Sequence, residues 1–231
     1  MKKLLIIALG LAFAPSAFAA NNNLNTSEQK ASYTLGADLA KNFTEQGLKI
    51  DIQAFTLGLE DAIQKRPLKL TEEEMMSAIN DVKKEMLEKQ QAEKKIIGDA
   101  NIKEGEAFLA SNAKKAGVIS LPSGVQYKVI TEGKGAHPTE DDTLIAHYSG
   151  TLIDGTEFDS SYNRGTPLKF QMGNVIKGWG EVMKLMNPGS KWEVYIPADM
   201  AYGAKGAGKV IGPNQTLIFT VELITFEPVT K

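Results

Sequence analysis

Residues 148–161 read Tyr-Ser-Gly-Thr-Leu-Ile-Asp-Gly-Thr-Glu-Phe-Asp-Ser-Ser. Two short runs of apolar residues and threonine flank Asp154-Gly155, the dipeptide that most readily takes positive φ at both central positions of a type I′ turn, so the stretch predicts a β-hairpin. Its second arm is the unusual one. Phe158 and Asp159 lie side by side at the end of a strand, where alternation sends one side chain to the core and the other elsewhere. The pair is either ordinary hairpin chemistry or the lip of a pocket.

The surrounding chain speaks the same grammar. Val125, Tyr127 and Val129 alternate with Gln126 and Lys128, as expected of a strand with one buried face, and Leu144, Ala146 and Tyr148 alternate in the same sense. Further alternating strands are read at Leu168, Phe170 and Met172, at Trp192, Val194 and Ile196, and at Leu217, Phe219, Val221 and Leu223. Between them Trp179, Val182, Met183 and Met186 repeat at i, i+3, i+4 and i+7, one helical stripe that Asn187-Pro188-Gly189 stops. Five or six antiparallel strands wrapped on one short helix make residues 118–231 an α+β domain.

Upstream the period is helical. Thr26 or Ser27 can cap a first helix ended by Gly47, and Asp51 a second that Pro67 prevents from continuing far. Thr71 with Glu74 forms a capping box opening a third pattern, proline-free over residues 71–116 and about 65 Å long if it is one helix. Met75, Met76, Ile79, Val82 and Met86 form a stripe in its first third. Residues 83–95 are polar on almost every face, as in a solvated strut between domains, and Gly98 and Gly105 mark places where it can bend or fray. The alternative is a broken pair of helices folded back on each other. The module at residues 20–70 is small enough for a lone core to be marginal. Met75, Met76, Met86, Phe43, Phe55 and Leu59 suit either a private core or the seam of a homodimer, and the dimer is the favoured reading.

Composition narrows the chemistry. A net charge of −2 with a pI near 5.8 argues against a nucleic-acid surface, and the absence of cysteine removes disulfides, thiolate nucleophiles and thiolate metal sites. The two histidines, His137 and His147, have no acidic cluster at ligand spacing, so neither a metal nor a cofactor is expected. Residues 1–19 have the form of a cleaved secretory signal: Lys2-Lys3, an apolar run too short to span a bilayer, then Ala17-Phe18-Ala19. Its loss leaves 24 basic against 28 acidic side chains and places the chain in the periplasm, at the outer membrane or at the cell surface.

The residues then carry a resemblance. Tyr148-Ser-Gly-Thr-Leu with Asp154-Gly-Thr-Glu-Phe-Asp-Ser-Ser, Val175-Ile-Lys-Gly-Trp179, Pro197 through Ala201-Tyr-Gly203, and Thr216-Leu-Ile-Phe219 are similar to the FKBP-type peptidyl-prolyl isomerase domain. Ser32-Tyr-Thr-Leu-Gly-Ala-Asp-Leu, Gly105-Glu-Ala-Phe-Leu109 and Leu121-Pro-Ser-Gly-Val-Gln-Tyr-Lys-Val129 resemble the macrophage infectivity potentiator (Mip) proteins of Gram-negative bacteria. That likeness implies a homodimer joined through an all-α N-terminal module, with a long connecting helix leading to each isomerase domain. It also implies proline-containing peptides and unfolded exported proteins as partners, and immunophilin macrolides (tacrolimus, rapamycin) as ligands.

Carried over residue by residue, the likeness implies a proline pocket walled by Tyr148, Phe158, Val175, Ile176, Tyr202 and Phe219, with Trp179 as its floor and Asp159 and Arg164 as polar neighbours. Leu168 stands where many members have an aromatic, which should narrow or weaken the set of preferred ligands. Val210 and Ile211 are expected to form an apolar flap, left mobile by Gly206 and Gly208. Read without the likeness, Trp179 and Phe219 are core residues whatever the function, Tyr202 reads first as a surface turn aromatic, and Asp159 is equally a turn-stabilising carboxylate. The chemistry suits the inventory. Rotation of an X-Pro bond breaks no covalent bond, so no nucleophile or proton shuttle is needed. Asp159, Tyr202 and Tyr148 are the expected catalytic groups. A dimeric holdase or surface adhesin with incidental isomerase activity is the alternative.

Overall fold

The computed structural model describes residues 23–228; the leader expected at residues 1–19 lies outside them. The chain divides into two compact units, one ending at Ile79 and the other starting at Asn80, and each is described by itself.

Local capping writes the helices of the first unit. The Thr26 hydroxyl accepts from the Gln29 N–H at 3.2 Å and the Gln29 side chain accepts from the Thr26 N–H at 3.1 Å, a closed capping box for α1 (Ser27–Glu45). Gly47, at φ 71°, supplies the left-handed residue just past its end. Asp51 caps α2 (Ile52–Ile63), accepting from the Ala54 N–H at 2.9 Å. Thr71 and Glu74 make the reciprocal bonds that open α3 (Glu72–Asn112), at 3.2 and 2.8 Å. The alternative of a broken helix pair is set aside, because α3 is one helix of 41 residues. Phe43 meets Phe55 edge-on at 6.0 Å. Neither α1 nor α2 buries an apolar side chain; Asp61, beside Arg66 at 3.5 Å, is the buried residue between them.

Among the described residues the second unit holds seven antiparallel strands: β1 (Val118–Ser120), β2 (Gln126–Thr131), β3 (Thr143–Leu152), β4 (Glu157–Ser160), β5 (Leu168–Gln171), β6 (Lys191–Ile196) and β7 (Leu217–Glu227). They run in the order β1-β2-β6-β7-β3-β4, with β5 also paired to β3. The strand beyond the expected five or six is β1, at three residues too short for alternation to announce it. Burial alternates along all ten residues of β3 and along β7 from Leu217 to Leu223. Helix α4 (Lys177–Met183) covers that inner face, and Trp179, Val182, Met183 and Met186 are all buried against it. Met172, expected to end a strand, instead opens a 3₁₀ turn over Met172–Asn174.

Two further sequence expectations are corrected. Gly98 and Gly105 neither bend nor fray α3. Both are buried, and a Cβ at Gly105 would lie 2.3 Å from Thr216 Oγ1 while one at Gly98 would lie 2.9 Å from Asn214 Nδ2. They are glycines because a neighbour approaches the helix there. Likewise Gln126, on the face that alternation gave to solvent, is buried under α3. It accepts from Asn112 Nδ2 and donates to the Leu109 carbonyl, both at 3.0 Å, while Phe108 approaches Tyr195 at 5.9 Å. The C-terminal part of α3 thus covers the sheet's outer face at β2 and β6.

Candidate active site

The hairpin is built differently from a type I′ turn. Among its turn residues only Gly155 has positive φ, at 86°. The Gly155 N–H donates to the Leu152 carbonyl at 3.0 Å and the Leu152 N–H to the Thr156 carbonyl at 2.9 Å, giving a three-residue loop closed by a left-handed glycine. The reason is local: the Asp154 carboxylate accepts from the Thr156 N–H at 2.9 Å, and that side-chain turn leaves Gly155 alone to take the left-handed conformation.

This loop is followed by a bulge, which resolves the odd pair. Gly150 faces Asp159 and Thr151 faces Glu157, so Phe158 is the extra residue of β4. A bulge re-aims side chains that strict alternation would separate. Phe158 and Asp159 consequently line the same cavity, of about 690 Å³. Gly150 makes the room. It is buried on β3 directly opposite Phe219, and a Cβ there would lie 2.6 Å from the Phe158 ring and 2.8 Å from that of Phe219. Those rings meet edge-on at 5.5 Å.

Trp179 lies against three aromatic neighbours: Tyr148 at 5.1 Å and Phe219 at 5.2 Å, both nearly perpendicular, and Phe170 at 5.5 Å. Its indole N–H is buried with no partner among the described residues. Val175 and Ile176 reach the cavity from the segment before α4, Leu168 from β5, Tyr202 from the turn after β6, and Val210 and Ile211 from a small hairpin in which Ala207 and Ile211 exchange two backbone bonds. Arg164 alone of the expected residues is absent from the cavity wall. It stands behind Asp159, donating to it and, at 2.9 Å, to the Tyr148 hydroxyl. Tyr148 in turn donates to Asp159. Burial by itself raises the Asp159 carboxyl, but the Tyr148 hydroxyl and the Arg164 guanidinium together outweigh it and hold the group below the ordinary carboxylate range. Burial, with the carboxylate beside it, pushes the Tyr148 phenol up.

Asn174, Lys177, Ala201, Ala207 and Lys209 also line the cavity without having been expected there, and Gly208, expected only to loosen the flap, lines it too. The first two flank Val175-Ile176 in the chain, the only signal available for them. Ser161 is a second omission: fully buried, its hydroxyl accepts from the Tyr148 N–H at 2.8 Å and donates to the Tyr148 carbonyl at 3.1 Å, pinning that residue's backbone.

Residues 134–224 match the family described as FKBP-type peptidyl-prolyl cis-trans isomerase, and residues 28–129 match the domain amino terminal to FKBP-type peptidyl-prolyl isomerase. The chain is 44% identical over 226 residues to the outer membrane protein MIP of Legionella longbeachae, covering 97% of each. It is 43% identical over 227 residues to the peptidyl-prolyl cis-trans isomerase Mip of Coxiella burnetii, covering 97% of this chain and 98% of that one. The crystal structure of FkpA from Escherichia coli is similar with a TM-score of 0.73 at 35% identity, over 90% of this chain and 100% of that chain. The chain belongs to the Mip-like family of FKBP-type peptidyl-prolyl cis-trans isomerases.

Proposed function

We propose that this chain accelerates rotation about Xaa-Pro bonds in exported proteins, in the cavity between Trp179 and the Phe158-Asp159 bulge. The observation that carries the reading is the meeting of an aromatic-lined apolar cavity with one ionised carboxylate at its wall. Rotation costs about 18–20 kcal/mol because the amide loses conjugation, and unaided X-Pro isomerisation takes tens of seconds or more. Only binding the twisted amide better than either planar form lowers that barrier, at tenfold in rate for each ~1.4 kcal/mol of difference.

Each group has a part in that difference. The rings of Phe158, Phe219 and Trp179 hold the pyrrolidine and exclude water, which favours the less polar rotated amide. Asp159, held ionised and aimed by Tyr148 and Arg164, faces the carbonyl carbon as the carbonyl turns out of plane. Tyr202 donates its hydroxyl to a substrate carbonyl and orients the peptide. Tacrolimus- and rapamycin-like macrolides occupy the same cavity as proline mimics, with Leu168 offering them less ring contact than an aromatic would.

The test is direct. Asp159→Leu and Tyr202→Ala should each lower kcat/KM for a proline-containing chromogenic tetrapeptide at least about tenfold, with the thermal transition retained. Unchanged rates would remove both residues from the mechanism. Residues 1–19 serve as the leader to the envelope in this reading, residues 20–70 with the start of the 71–116 helix join two copies, and residues 118–231 are catalytic. A second reading, a dimeric holdase or adhesin, draws on the uncovered apolar side chains of α1 and α2.

A further inference from the structure

The segment that carries Tyr202 and the flap is held from behind by α3, and we propose that this seam, centred on Asn101, positions that side of the cavity. Asn101 lines no part of the cavity, so it is a positioning residue, and the inference rests on the isomerase reading of the site.

The route can be followed bond by bond. Asn101, 9% exposed, donates its Nδ2 to the Pro213 carbonyl at 2.8 Å. Gly98 and Gly105 lie one turn to either side of it and allow α3 to close on Asn214 and Thr216, as the 2.9 and 2.3 Å approaches of added Cβ atoms show. Asn214 takes φ 56°, uncommon for a residue with a side chain, and its N–H donates to the Gly203 carbonyl at 2.8 Å, next to Tyr202. The Gly206 N–H donates to that same carbonyl at 3.2 Å. Gly206 in turn is pressed against the far arm of the flap: a Cβ on it would lie 2.3 Å from the Ile211 carbonyl oxygen and 2.8 Å from that of Gly212. The flap is therefore tied to Asn214 through the Gly203 carbonyl, and Pro213 and Asn214 are packed onto α3. Gly206 serves close approach here, whereas Gly208 has open space around it and takes φ 59°. An asparagine inside a helix has no propensity advantage, and once buried its amide needs a partner. The partner it has is the loop behind the cavity.

With the anchor removed, the flap should open more often while the rings of Trp179, Phe158 and Phe219 stay in place, because those belong to the sheet and α4. Substrate and transition state then lose the same preorganised wall, so KM rises and kcat holds. The experiment uses the chain from Ala20 onward with Asn101→Ala. Amide exchange at Ala207 and Ile211 should quicken about tenfold with Val221 in β7 unchanged, and KM for an Ala-Phe-Pro-Phe tetrapeptide should rise about three- to tenfold with kcat within about twofold. Phe108→Leu trims α3 against Tyr195 elsewhere on the sheet and should leave flap exchange and KM alone. Gly98→Ala, pressing on Asn214, is a second route to the same flap signature should Asn101→Ala fold poorly. Uniform loss of protection across flap and β7, or no change in either, overturns the inference. Failure of the underlying site would show differently: Tyr202→Ala would then leave the rate intact, while the flap exchange of Asn101→Ala would still report on positioning.

Discussion

The same kinds of apolar residue meet opposite fates in the two units. In the unit beginning at Asn80, leucines 144, 217 and 223 and valines 125, 182, 194 and 221 are sealed between sheet and helix. In the unit ending at Ile79, Leu35 and Ile63 are each 72% exposed and Tyr33, Ile52 and Leu59 are open as well. Yet α1 and α2 have well-formed caps at their N-termini. The difference teaches that capping and periodicity specify a helix, whereas what covers its apolar face is a separate matter. A face left open to this extent costs solubility unless something lies on it. A second copy of the unit is the occupant proposed above.

The largest effect should therefore come from the open unit. Leu35 is 72% exposed, so Leu35→Asp should leave helicity unchanged, yet a carboxylate on an apolar seam should weaken self-association at least about 100-fold. Sedimentation should show monomers at micromolar concentration, while the tetrapeptide rate stays within about twofold of wild type. A dimer that survives Leu35→Asp would break the comparison, because the open face would then be free of any seam. Aggregation suppression on an unfolded protein, measured alongside, separates the readings: its loss with the dimer favours the holdase, and its persistence favours isomerisation as the working activity.

The closed unit should show the reverse pattern under a small change of volume. Gly150→Ala adds one methyl group between two rings that a Cβ would approach at 2.6 and 2.8 Å. Overpacking of this kind costs about 1–3 kcal/mol, so the melting temperature should fall and kcat/KM should drop about five- to tenfold as the Phe158 ring is displaced. Association should be untouched. A Gly150→Ala enzyme of full activity would mean that Phe158 can move without consequence, and its place in the pocket wall would lose its support.

Most of the closed unit was legible because burial on one face of a sheet writes itself as alternation, and Leu144 through Tyr148 or Leu217 through Leu223 can be read directly. What escaped was set by contacts distant in sequence. Gln126 looks solvent-facing until α3 is laid over it, and Gly98 and Gly105 look like weak points of a helix until Asn214 and Thr216 are brought beside them. The bulge at Phe158 escaped for another reason. A register shift follows from pairing with Gly150 and Thr151, and no local pattern in Glu-Phe-Asp-Ser announces it. The pocket residues themselves came from likeness to a family; periodicity placed Trp179 and Phe219 in the core and had nothing to say about Tyr202 or Arg164.

Arg164 gives the smallest test and the sharpest one of how closed the second unit is at its rim. Its guanidinium binds both Asp159 and the Tyr148 hydroxyl but is half exposed, so solvent screens the pair and neutral-pH activity of Arg164→Gln should fall only about two- to threefold. The pH profile should move more clearly. In the wild type, burial raises the Asp159 carboxyl and its two donors more than reverse that, so its folded pKa lies below the ordinary value of about 3.9. A depressed carboxylate contributes stability above its unfolded pKa and loses it as pH falls through the folded one, so the acid limb of activity should lie below about pH 4 with no change from this group between about pH 5 and 8. Arg164→Gln removes one of the lowering partners and leaves the burial, so the folded pKa climbs and the acid limb shifts to higher pH. A limb that stays in place would mean that Tyr148 alone holds the charge, and Arg164 would then be a surface residue whose pairing the site does not need.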